Sequence, residues 1–161
     1  MELDKLFAVQ KELNDRILRE HQLDPNTLRK DKFLALLTEL GELANETRCF
    51  KYWSTKPPAP REKILEEYVD CLHFILTLGL DAGFTDVEPR LREQEMDLTA
   101  HFIDMFLDVN EMLSVSSKNS YEMLLEDFYS LGLALGFTGN EVQEAYMAKN
   151  QVNHQRQDER Y

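Results

Sequence analysis

Apolar residues return every three to four positions along most of this chain, the period that lines one face of an α-helix. Leu3, Leu6, Leu13 and Ile17 carry it from Glu2 to about His21, which predicts a first helix, and Asp24-Pro25-Asn26 predicts the turn after it. A second helix starts after Asn26 and reaches about Cys49 on the stripe Phe33, Leu36, Leu37, Leu40 and Leu43; the prolines between Ser54 and Pro60 make the next segment a loop. The third helix, Arg61 to Ala82, has the widest stripe (Ile64, Leu65, Tyr68, Leu72, Ile75, Leu76, Leu80), stops near Gly83, and should be central. Pro89 suits the first turn of a fourth helix running to about Leu113. After a polar loop from Ser114 to Asn119, a fifth helix covers Tyr121 to Leu135 and Gly136 closes it. Thr138-Gly139-Asn140-Glu141 resembles an N-terminal cap for a last helix through Val152 and beyond. The pattern predicts an all-α bundle of about six helices, a single domain over residues 1–161.

Composition agrees with that picture and narrows the partners. With 161 residues and 43% apolar content the chain can build its own core. Six glycines and five prolines are few, which favours long helices over strands and turns. A net charge of −12 argues against a nucleic-acid partner, because such binding neutralises phosphates with Lys and Arg. A small anionic substrate stays possible where metal ions supply positive charge locally. The start, Met1-Glu2-Leu3-Asp4-Lys5, is charged and lacks the apolar run of a signal peptide. No segment approaches the roughly 18 apolar residues of a membrane span. Cys49 and Cys71 then read as free thiols in a reducing cytoplasm.

The candidate chemistry lies in two carboxylate pairs of identical spacing, Glu39-x-x-Glu42 and Glu67-x-x-Asp70. Three residues is nearly one helical turn, so each pair projects from one face of its helix. If the second and third helices pack side by side, four carboxylates converge. Such a pair is often just a solvated helix face. Here, however, Glu67 borders the apolar stripe beside Cys71, and Phe74 follows Asp70 by four residues on the carboxylate side, where it suits a pocket wall. Clustered carboxylates repel unless cations join them, and an all-oxygen set suits Mg²⁺, with Mn²⁺ as a substitute. A di-iron bundle would want two E-x-x-H pairs; the chain has none, Asp70-Cys71-Leu72-His73 being the nearest. His73 points away from Glu67 around the helix and reads as structural or supporting.

Two further groupings are polar where grease would be ordinary. Tyr146, Lys149, Asn150, Asn153, Arg156 and Gln157 share one face of the last helix. They are either a solvated terminus or an anion clamp, with Lys149 and Arg156 on phosphates and Asn153 on sugar or base. Trp53, in Phe50-Lys51-Tyr52-Trp53, is either a core anchor or an aromatic wall for a nucleobase. Gln10 and Asn14, one turn apart, form an amide pair able to read a base edge.

In order along the chain, Gln10-x-x-x-Asn14, Glu39-x-x-Glu42, Phe50-Lys51-Tyr52-Trp53, Glu67-Tyr68-Val69-Asp70 with His73-Phe74, and Lys149-x-x-x-Asn153-x-x-Arg156-Gln157 resemble the dimeric all-α dUTPases, a branch of the all-α nucleotide pyrophosphatases. The segment from Glu88 to Leu135 contributes no motif to the likeness. The resemblance implies hydrolysis of dUTP, and of dUDP, to dUMP. It implies Mg²⁺ held by Glu39, Glu42, Glu67 and Asp70, with Glu42 also activating the water. It further implies Lys149 and Arg156 on the phosphates; Gln10, Asn14, Trp53 and Asn153 around uracil and sugar; Lys51 in the same site; and Phe74 against the deoxyribose. A homodimer with a shared active site is implied by the family alone. The alternatives are a related pyrophosphatase acting on dCTP or another nucleotide, and a non-catalytic helical interaction protein.

Overall fold

The computed structural model describes residues 1–91 and 94–159. Among these, the regular elements are helical: α1 (Leu3–Glu20), α2 (Arg29–Thr47), α3 (Arg61–Ala82), α4 (Leu98–Ser114), α5 (Lys118–Ala134) and α6 (Gly139–Asp158), with one 3-10 turn at Pro25–Thr27. None of these helices is long and apolar enough to cross a membrane. Both cysteines are free, Cys71 in the core and Cys49 half-buried.

Helix α3 packs against α1, α2, α5 and α6, as its wide apolar stripe predicts, and α4 packs on α2 and α5. Gly83 ends α3 with φ of 74°, a conformation a side chain would strain. Thr138 starts α6 with the expected capping box, its side chain on the Glu141 amide and Glu141 returning to the Thr138 amide. Two tyrosines lock α3 to α5 in a reciprocal way. Tyr68 donates to the Phe128 carbonyl at 2.8 Å and lies against Gly132; Tyr121 donates to the Ile75 carbonyl at 2.9 Å and lies against Gly79. A Cβ at either glycine would run into the opposing ring, so this close approach needs glycine.

The structure corrects two boundaries. The fourth helix begins at Leu98 rather than at Pro89, because Asp97 caps it by accepting from the Ala100 amide. The described residues of the preceding segment, 84–91 and 94–97, are not helical, and residues 92–93 of the expected helix lie outside the described residues. The described part straps over α5, with the Arg90 amide on Glu126 and the Gln94 amide on Asp127, each at 2.9 Å, and Val87 buried. At the next junction α5 starts at Lys118, inside the expected loop, since Ser117 and Ser120 form a capping box.

Candidate active site

Packing α2 beside α3 brings Glu39, Glu67 and Asp70 together, one carboxylate oxygen from each lying within 4.8 Å of the others. Spacing alone explains Glu67 and Asp70, which leave α3 one turn apart; Glu39 joins them only through helix packing. Burial, then the charges of Asp70, Glu42 and Glu67, push the Glu39 carboxyl up to about 7. Burial likewise raises Asp70, partly offset by Lys149. Glu42 lies beside this trio, sharing a hydrogen bond with Glu39, but is exposed and does not join the three-oxygen cluster.

Cations already face these acids. Lys149 Nζ donates to Asp70 at 2.8 Å and to Glu66 at 2.9 Å; burial opposes its charge, but the two carboxylates prevail and raise its pKa. Lys63 Nζ sits 2.6 Å from Glu67 and 3.4 Å from Glu66. Five carboxylates (Glu39, Glu42, Glu66, Glu67, Asp70) thus meet two ammonium groups, leaving an excess of negative charge suited to a hard divalent cation. Glu66 and Lys63 escaped the sequence reading. The one available signal was Lys63 standing a single turn before Glu67, and such pairs are common on any helix.

The cluster borders a cleft of about 490 Å³, a volume ordinary for small-ligand sites. Glu39 and Asp70 line one end, and Gln10 and Asn14 of α1, Phe74 of α3, and Asn153 and Arg156 of α6 line other walls. The polar face of α6 therefore turns inward. Tyr146 and Asn150 are buried, which excludes a frayed, solvated terminus there. Arg156 reaches Asn153 at 3.4 Å.

Buried hydrogen bonds support the cleft wall. Gln10, only 3% exposed, takes the Tyr146 hydroxyl proton on Oε1 at 2.6 Å, and His73 Nδ1 lies 2.7 Å from the same oxygen. The His73 ring stacks on Tyr146 with centroids 4.3 Å apart. Burial, helped by the Lys149 charge, lowers His73 to about 3, so its imidazole is neutral. Tyr146 and Thr77 had no motif role in the sequence; their part is set by tertiary packing.

Lys51 and Trp53 are not among the residues lining this cleft. They sit on the α2–α3 connection, where Lys51 donates to Asn45 at 2.5 Å and Trp53 is 64% exposed beside a 94% exposed Tyr52. Trp53 is therefore no core anchor. Arg48 holds this loop through Ser54 Oγ at 2.6 Å and the Lys56 carbonyl at 3.2 Å, so its aromatics are presented outward on a tied backbone.

A family model described as dUTPase matches residues 2–161 of the chain. No curated protein matches it. The match spans every element that builds the cleft and its acidic end, from Gln10 to Arg156. An all-helical chain that sets clustered carboxylates against a polar sixth helix, and matches this family over nearly its whole length, belongs to the dUTPase family and is a dUTP diphosphatase.

Proposed function

We propose that the enzyme uses Mg²⁺, with Mn²⁺ as a substitute, to hydrolyse dUTP to dUMP and pyrophosphate, and dUDP to dUMP and phosphate, as a single domain over residues 1–161. The observation that carries this reading is the convergence of Glu39, Glu67 and Asp70 beside a cleft that Asn153 and Arg156 also line. Three carboxylate oxygens, Glu42 beside them and an excess of negative charge fit a hard divalent cation. When bound, the metal would neutralise phosphate charge and align the in-line displacement.

The chain's own groups do the rest. Glu42, exposed and hydrogen-bonded to Glu39, orients a water and takes its proton. That water adds across the phosphoanhydride bridge and pyrophosphate leaves. Lys149 moves from its carboxylate partners to phosphate oxygens, and Arg156 clamps phosphate from α6. Gln10, Asn14 and Asn153 surround uracil and sugar, and Phe74 packs on the deoxyribose, where a 2′-hydroxyl would find no partner.

Lys51 and Trp53 complete the site across a homodimer. The outward aromatics of the α2–α3 loop support this, as do the exposed Leu34 on α2 and the exposed Ile103 and Leu107 on neighbouring α4, apolar surface suited to a second copy. The test is pyrophosphate release from each dNTP, with and without Mg²⁺, for wild type and Glu42→Gln. Release from dUTP that needs Mg²⁺ and is abolished in Glu42→Gln is expected. Turnover of dCTP above dUTP would overturn the base assignment, and metal-independent turnover would overturn the acidic centre.

A further inference from the structure

The two amides at the cleft do not set their own polarity. Gln10 Oε1 is held by two donors, the Tyr146 hydroxyl at 2.6 Å and His73 Nδ1 at 2.7 Å. A carboxamide oxygen only accepts, so the imidazole carries its proton on Nδ1. Gln10 Nε2 consequently faces Asn14 and donates to its Oδ1 at 2.9 Å. At the other end Thr77 gives its hydroxyl proton to the His73 carbonyl at 2.9 Å, the ordinary back-bond of a helical threonine, and so offers a lone pair to Asn14 Nδ2 at 3.2 Å. At the Gln10 end these bonds run in one direction, from Tyr146 and His73 through Gln10 to Asn14, while Thr77 Oγ1 lies 3.3 Å from Asn14 Oδ1 as well.

That direction decides what the cleft can offer a ligand. Both lone pairs of Gln10 Oε1 are occupied, and the capacity left on Gln10, which lines the cleft, is N–H; Asn14 Oδ1 accepts from Gln10 and keeps one lone pair. We propose that Tyr146 and His73 are positioning residues for base selection, fixing Gln10 so that it presents a donor to a ring carbonyl and refuses an exocyclic amino group. The inference rests on the cleft being the nucleotide site. Uracil carries a carbonyl where cytosine carries an amino group, so cytosine would set donor against donor in a buried place. With His73 protonated on Nδ1, turning Gln10 over would set its N–H groups against that proton. Moving that proton to Nε2 would leave a buried N–H unsatisfied, since His73 is 6% exposed and its Nε2 is buried without a hydrogen-bond partner.

The experiment is kcat/KM for dUTP and dCTP in the wild type, Tyr146→Phe and His73→Phe, with Tyr129→Phe as a control outside the chain of bonds. Each phenylalanine keeps a ring in place and removes one donor to Gln10. The dUTP-to-dCTP ratio should fall about tenfold in each, mostly through KM, and stay unchanged in the control. An unchanged ratio in both variants, with the wild type active on dUTP, would overturn the proposal. The nitrogen NMR spectrum of wild-type His73 gives a second readout that needs no variant. Protonation at Nδ1 is expected, and protonation at Nε2 would reverse the assigned polarity and refute it. Absence of any dUTP hydrolysis by the wild type would instead strike the nucleotide reading, leaving the tautomer result to stand alone.

Discussion

Glu39 holds its carboxyl where folding alone would not put one. It is half-buried, it faces Asp70, Glu42 and Glu67, and its pKa rises to about 7. A group destabilised in this way costs fold stability and is kept for what it binds. Replacing it with an amide separates the two effects. In a chelating buffer Glu39→Gln should raise stability by about 1 kcal/mol, because like-charge repulsion and a desolvated acid are removed. With Mg²⁺ the same variant should lose about 100-fold in dUTP turnover. Thermal melts in chelator and single-turnover assays with metal check the pair; a destabilised but active variant would contradict both halves.

Between elements, the α4–α5 contact contains a second, half-buried pair of acids with a different logic. Asp108 hydrogen-bonds to Asp127, and burial followed by that bond pushes Asp108 up to about 8. Asp127 also receives the Gln94 amide, so the pair ties the non-helical strap to both helices. The folded pKa lies above the unfolded value of 3.8, so the folded protein binds the extra proton. This stabilising contribution is whole below the unfolded pKa and is lost as pH rises through the folded one. Unfolding free energy should therefore drop by about 1–2 kcal/mol between pH 4 and pH 8 from this site, after allowance for solvent screening. Asp108→Asn keeps a donor to Asp127 without the charge and should flatten that part of the profile, as urea melts at several pH values would reveal. An identical slope in wild type and variant would remove the pair from the account.

For the whole molecule, the α2–α3 loop and the α2–α4 face show apolar groups to solvent that a monomer would gain by covering. Sedimentation should give about twice the 18.9 kDa chain mass. Leu107→Glu, on the exposed side of α4, should shift the protein to monomer and lower activity together with it. Trp53→Ala should weaken dUTP binding while leaving thermal stability within about 0.5 kcal/mol, as suits an exposed side chain. A fully active monomer would remove the shared-site reading.

Helix positions followed from local causes that a linear pattern carries: apolar period, Gly83 in its left-handed conformation, the Thr138 box, the prolines before Arg61. The start of α4 did not, because Pro89 is equally at home in a helix's first turn and in an extended strap, and only contacts with Glu126 and Asp127 chose between them. The carboxylate spacing was legible for the same reason as the helices: residues three apart on one helix are neighbours wherever it packs. Which acids meet was another matter. Glu39 closes on Glu67 and Asp70 while Glu42 stays exposed outside the cluster, because the rotation of α2 against α3 is settled by their shared core and not by either helix alone. The inward turn of the polar α6 face, and the grip of Tyr146 and His73 on Gln10, arise the same way. Burial forces each polar atom to find a partner, and the partners come from parts of the chain up to 136 residues apart.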